Sequence, residues 1–223
     1  MVLPYCIIES ESSAALPSAG VRGARIETFS CGPLQCLVSR HAALENVSRQ
    51  DALAFHAVVE SVFHQVAVVP FRFPTLLASE AELEAHLKSH HETYAGDLHR
   101  FRHLVQMELH IAAKNTEPTG GGSGSGTGYL QERSQSTRAL ASAAQDARQR
   151  LGELVREWQQ VAPLTAGQPS LRCYALVARS EVQGFREKLL SHSMPVGITM
   201  ALSGPWPATA FMSGVVPGIA APP

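Results

Sequence analysis

The chain has 223 residues, 45% of them hydrophobic, and its 18 basic and 19 acidic residues give a formal net charge of −1. This length is enough for two domains with their own cores, and the balanced charge gives no electrostatic reason to expect nucleic acid or an anionic membrane as a partner. Because no apolar run approaches the ~20 residues of a membrane span and no basic leader precedes the first apolar residues, we expect a cytoplasmic protein without a membrane span.

The N-terminal residues predict a small sheet followed by a helix. Strands are expected at residues 5–8, 24–29 and 34–38, because apolar runs there are separated by glycine-containing turns. Ser48 and Asp51 have the spacing of an N-terminal capping box, and apolar residues then repeat at helical spacing. The apolar face consists of Ala52, Phe55, His56, Val59, Val62, Phe63 and Val66. We therefore expect His56 in the core.

Residues 66–75 form the most apolar short run of the first half, and they contain two prolines. Such a run predicts a strand covered on both faces at the centre of the N-terminal half. Side chains alternate along an extended chain, so Phe71 and Phe73 should face one way and Arg72 the other. We interpret Arg72 as an internal structural clamp, with binding of a partner by Arg72 and Phe73 as the alternative.

The next segment predicts one long helix, capped by Ser79 with Glu82 and reaching about residue 103. Its apolar face consists of Leu83, Leu87, Tyr94, Leu98 and Phe101, and Gly96 is the expected point of bending. His86 and His90, and again His99 and His103, are spaced i,i+4, as two ligands of one metal can be. Because a third ligand and an HExxH pattern are missing, we predict a His-rich polar face and no metal.

The second half begins with strict alternation at Val105, Met107, Leu109 and Ile111, which predicts a strand. We place the domain boundary before it, giving domains 1–104 and 105–223. The Gly/Ser tract at residues 118–128 predicts a flexible loop, and its glycines match neither nucleotide-binding fingerprint. A long helix at 129–160, a strand at 171–178, a short helix after Ser180 and a strand at 196–202 should follow. The predicted class is α+β with two small α/β domains, the second ferredoxin-like with a long helix.

The turn Gly204-Pro205-Trp206-Pro207 should hold Trp206 in a fixed position. A large aromatic usually buries most of its area within its own fold. We therefore expect Trp206 to plug the core, with an exposed anchor for a partner as the alternative.

The chain offers little for catalysis. The cysteines at 6, 31, 36 and 173 fit neither a CxxC site nor a disulfide framework, so buried free thiols are expected. No GxSxG motif is present, and glutamates such as Glu80 and Glu82 lie where they complement a helix dipole. We predict no enzymatic activity and no cofactor.

In order along the chain, five segments resemble the gas vesicle protein family GvpF/GvpL. They are residues 32–39, residues 69–75 after His56, residues 126–130, residues 174–185 and the Gly-Pro-Trp-Pro at 204–207. The resemblance implies a non-enzymatic accessory or minor structural protein of gas vesicles with two α/β domains. It also implies location at the gas vesicle and contact with the small hydrophobic shell protein GvpA, and possible further partners are other accessory gas vesicle proteins. The alternative is a ferredoxin-like module that binds a small ligand, or an uncharacterised enzyme using Arg72.

Overall fold

The computed structural model describes residues 1–12, 14–113, 126–161, 169–191 and 195–213, with only the backbone described for 126–134. The predicted loop at 118–128 therefore lies mostly outside the described residues, and its last three residues begin a helix. The chain divides into two compact units. The first contains residues 1–104 and the described residues 207–213, and the second contains residues 105–206.

The first unit contains a four-stranded sheet and three helices. The elements are β1 (Val2–Glu9), β2 (Glu27–Cys31), β3 (Leu34–Arg40), α1 (Arg49–Phe63), β4 (Val69–Pro70), α2 (Glu80–Ser89) and α3 (His91–Phe101). The strand order is β2-β3-β1-β4, and β1 is buried from Val2 to Ile8. The core of this unit is therefore built around β1.

The prediction that residues 66–75 form the centre of this half is wrong. The run provides only β4, a two-residue strand at the sheet edge that pairs with β1. Pro70 has no N–H group, so it cannot donate a hydrogen bond to a further strand on the side of β4 away from β1. A longer apolar run, Val2–Glu9, takes the inner position instead.

The capping box of α1 is confirmed. The Asp51 N–H donates to Ser48 Oγ at 3.1 Å, and the Ser48 N–H donates to Asp51 Oδ2 at 2.9 Å. Arg22 adds two bonds to the same carboxylate, from Nε at 3.2 Å and from Nη2 at 3.1 Å. These partners favour the charged form, so the pKa of Asp51 falls from 3.8 to about 2, with the Arg22 hydrogen bond as the largest cause.

We expect part of the acid sensitivity of the first unit to come from Asp51. Its pKa is depressed in the folded state, so its stabilising contribution is complete above about pH 4 and is lost as the pH falls through about 2. Denaturant unfolding between pH 5 and 2 should therefore show a smaller loss of stability in Asp51→Asn than in wild type. Equal pH slopes for the two proteins would contradict this assignment.

The second predicted helix is two helices. Its apolar face is confirmed, since Leu83, Leu87, Tyr94, Leu98 and Phe101 are all buried. The break lies at His90, with φ −117° and ψ 13°, and Gly96 lies within α3. Ser89 Oγ donates to the His86 carbonyl at 2.9 Å, a local bond that competes with continuation of the helix.

The second unit is a ferredoxin-like fold. Its elements are β5 (Leu104–Ala113), α4 (Gly126–Leu151), β6 (Glu157–Val161), β7 (Ser170–Ala178), α5 (Val182–Leu190) and β8 (Ile198–Trp206). The strand order is β6-β7-β5-β8, and the βαββαβ sequence of elements matches that fold. The core lies between the sheet and α4 with α5, and includes Met107, Leu109, Ile111, Ala144, Ala147, Cys173, Val177 and Phe185. The predicted fold class is confirmed.

The predicted helix at 129–160 ends earlier, at Leu151. Gly152 has a φ of +54°, the left-handed conformation that commonly ends helices. Residues 157–161 then form β6, paired with β7. In the sequence Trp158 falls at helical spacing after Leu151 and Leu154, which extended the predicted helix to 160, but it packs against the core from a strand.

Candidate partner-binding surface

The segment after β4 is held by main-chain and aromatic contacts. The Phe71 N–H donates to the Tyr5 carbonyl at 2.9 Å. The Phe73 ring packs on Phe55, with centroids 5.2 Å apart, and Phe55 stacks on Tyr5 at 5.0 Å. Thr75 Oγ1 closes the turn by donating to the Arg72 carbonyl. The backbone on both sides of Arg72 is therefore fixed to the sheet and to α1.

Arg72 itself is exposed. Its guanidinium has no hydrogen bond or ion pair with the described residues, so the structure gives no support to an internal clamp. Phe71 is buried and Phe73 is half-buried. The result is a cation presented to solvent on a rigid segment, an arrangement suited to a carboxylate or carbonyl of another molecule.

The i,i+4 histidines 86 and 90 belong to an aromatic cluster. Their ring centroids lie 4.6 Å apart, and His86 also packs against Phe71 at 5.8 Å. His86 Nε2 and Tyr94 Oη are joined by a 2.8 Å hydrogen bond. Burial, and after it the neighbouring His90, lower the pKa of His86, which favours the neutral form of its ring.

The second histidine pair is not a helical pair. His99 lies in α3 and His103 lies beyond its end, and both are exposed. In the part of the chain that the structure describes, no three His, Cys, Asp or Glu side chains are grouped as a metal site would require. His56 is exposed, not buried as predicted, because it lies at the margin of the face that α1 turns to the sheet.

The thiols are free and buried, as predicted. Burial raises the pKa of Cys6 to about 12 and that of Cys173 to about 11. Burial, together with Cys6, also raises the pKa of Cys36. These three side chains are therefore protonated at neutral pH and are poor nucleophiles.

Two cavities of about 540 and 490 Å³ lie beside the turn at Gly32. The first is bordered by the junction of α2 and α3, where His90 Nδ1 bonds to Ser89 Oγ at 2.8 Å. The second contains Arg102, which donates twice to the Glu9 carboxylate at 2.8 and 3.0 Å. The charged groups Glu9 and Arg102 thus neutralise each other.

Trp206 neither plugs the core nor stands fully exposed. It is half-buried at the end of β8, opposite Gln106 of β5, and its Nε1 donates to Ser203 Oγ at 3.2 Å. The first three residues of the predicted turn, 204–206, are instead the last part of β8. A register shift between Gln106 and Glu108 accommodates the irregular backbone there.

Residues 207–213, which follow β8, return to the first unit, whereas the prediction placed them in the second domain. The buried Asp97 carboxylate accepts from the Ser213 N–H at 3.1 Å and from Ser213 Oγ at 2.8 Å. Arg100 donates to the Phe211 carbonyl at 3.1 Å, and the Phe211 side chain is buried. These partners lie more than a hundred positions apart in sequence, and no local pattern indicates such a contact.

Comparison with known proteins gives a family match and two structural matches. The family model described as "Gas vesicle synthesis protein GvpL/GvpF" matches residues 2–213. The crystal structure of GvpF from Anabaena sp. PCC7120 is similar with a TM-score of 0.76 at 14% identity, covering 95% of each chain. GvpF from Microcystis aeruginosa has a TM-score of 0.75 at 11% identity, covering 96% of this chain and 99% of its own. Among curated protein sequences, none matches significantly.

Proposed function

Because the chain belongs to the GvpL/GvpF family of gas vesicle synthesis proteins, we propose that it is an accessory protein that binds the shell protein GvpA and assists gas vesicle assembly. The observation that carries the proposal is the extent of the family match, residues 2–213, which includes both units. Its proposed location is the gas vesicle, and other accessory gas vesicle proteins are further proposed partners.

A binding role without catalysis agrees with the chemistry of the described residues. At the second cavity Glu9 and Arg102 are paired with each other, and in the core the Cys6 thiol is protonated. A hydrophobic shell subunit exposes apolar surface and strand edges before assembly. A partner that covers this surface reversibly would suppress aggregation without any reaction. None of the described helices has the length and apolar character that crossing a bilayer requires.

Within this proposal, Arg72 is a contact to the partner. We expect Arg72→Ala to unfold at the same denaturant concentration as wild type, because the side chain is exposed and has no internal partner among the described residues. If Arg72 is an energetically dominant contact, its loss should cost about 2 kcal/mol of binding, or roughly 30-fold in Kd. Urea unfolding and capture of co-expressed shell protein measure the two effects.

Arg49→Ala is the matched control, since Arg49 is an exposed arginine of the same unit at the start of α1. It should match wild type in both measurements. If Arg72→Ala instead lost stability, Arg72 would be the structural clamp that its position between two phenylalanines suggested.

The proposed function is tested by co-expression with the shell protein and recovery of the complex, together with deletion of the gene in a vesicle-forming strain. We expect co-purification and loss of normal vesicles. The absence of both effects would refute the proposal.

A further inference from the structure

The two sheets have four edge strands, and three of them carry features that discourage pairing with another chain. β2 contains Glu27, which pairs with Arg40. β4 is two residues long and contains Pro70. β6 contains Glu157 directly after Arg156. Charged side chains, prolines and a short strand length commonly prevent an edge strand from pairing with another chain.

β8 is the exception. Its nine residues contain no Asp, Glu, Lys or Arg, and no such residue occurs anywhere in the sequence after Lys188. Within the described residues, its strand neighbour in the sheet is β5 alone. Thr199, Ala201 and Ser203 are exposed on the face away from the helices.

The free length of this edge is set by the backbone. Gly204 has a φ of +110° and lies at the register shift, and Pro205 follows without an N–H. Both features interrupt regular pairing. Among the described residues, 198–203 therefore remain as a six-residue strand with no strand on its outer side, and Met200 and Leu202 lie on the face that packs against the core.

We propose that residues 198–203 bind an extended, uncharged segment of the shell subunit by strand addition. This inference rests on the proposed function. Main-chain hydrogen bonds require an extended partner, and a segment with charges would lose hydration beside an edge that supplies no opposite charge. The small side chains of Thr199, Ala201 and Ser203 leave space for apolar side chains of the incoming strand.

The small size of the edge favours a shell subunit that is bound and then released over a second copy of this chain. A stable protein interface buries about 1,600 Å² in total, far more than six residues of strand can cover. A weak contact of this kind suits an assembly factor that has to release the shell subunit to the growing shell.

The test places one lysine on the edge. In co-expression with the shell protein, Ala201→Lys should reduce recovered shell protein at least tenfold, because a lysine on an edge strand discourages pairing with another strand and would stand beside the uncharged side chains of the incoming segment. Gln159→Lys is the control, since Gln159 is exposed on the opposite edge strand β6; it should retain the complex. Thr199→Lys is the second variant if Ala201→Lys fails to fold, and thermal melts verify folding.

The outcomes separate the two proposals. Absence of shell protein with wild type overturns the proposed function itself. Recovery with wild type and equally with a folded lysine variant overturns strand addition alone. Hydrogen exchange should show slowed amides within 198–203 in the complex, and unchanged exchange there would overturn it too. If the purified protein alone forms dimers that Ala201→Lys dissociates, the occupant is a second copy and the assignment to the shell subunit is wrong.

Discussion

Replacing Phe55 with alanine is expected to lower the free energy of unfolding of the first unit by about 4 kcal/mol, within the usual cost of emptying a buried phenylalanine site. The Phe55 ring is 6% exposed. It lies between Tyr5, with centroids 5.0 Å apart, and Phe73, at 5.2 Å. Its removal eliminates both ring contacts and leaves a cavity beside the central strand.

The functional consequence follows from the same contacts. Phe73 orients the segment that presents Arg72, so Phe55→Ala should lose both stability and partner binding. Arg72→Ala should lose binding alone. Urea unfolding monitored by circular dichroism measures the stability change, and Leu53→Ala is the control, because Leu53 lies on the same helix and is 59% exposed. A Phe55→Ala protein as stable as the Leu53→Ala protein would contradict the proposed role of this aromatic stack.

Gly204→Ala is expected to destabilise the second unit by about 3 kcal/mol. The φ of +110° at Gly204 is a conformation that costs other residues on the order of 1–3 kcal/mol. A Cβ there would lie 2.9 Å from the Gln106 carbonyl oxygen and 3.2 Å from Met107 Sδ. The carbonyl of Gly204 also accepts a 2.6 Å bond from Arg186 Nη2, so the backbone cannot shift without disturbing α5.

The control for this prediction is Gly184→Ala. Gly184 lies in α5, and a Cβ there would meet nothing within 4 Å. Alanine is favoured over glycine in a helix by up to about 1 kcal/mol, so this variant should be slightly more stable than wild type. Thermal unfolding of the two variants should therefore shift in opposite directions. A Gly204→Ala melt that coincides with wild type would show that β8 adapts its register.

Local patterns accounted for elements whose stabilising contacts are close in sequence. The capping box of Ser48 and Asp51 and the buried face from Leu83 to Phe101 follow from spacing alone, because side chains three or four apart share a helix face. The same rule failed at Trp158. Its spacing is equally compatible with a strand facing the same core, and Gly152 ends the helix before it.

The candidate surface was only partly visible in the sequence. Arg72 and Phe73 were identified from their position between prolines, but their roles depend on whether side chains of other elements contact them. The contact of Phe73 with Phe55 and the exposure of Arg72 were decided by packing. The absence of charge after Lys188 could be seen in the sequence, but its importance depends on β8 being an edge strand.

By itself, the sequence determined the α+β class and the ferredoxin-like second unit, because these depend on the order and periodicity of apolar runs. The resemblance to the family came from five short segments, among them Gly-Pro-Trp-Pro at 204–207. Only the tertiary structure decided that Val2–Glu9 is the inner strand, that Ser213 returns to Asp97, and that Arg72 faces solvent. Each of these depends on which distant segments compete for the same neighbour. The outcome depends on how much apolar surface each arrangement buries over the whole unit, and a local sequence pattern does not contain that information.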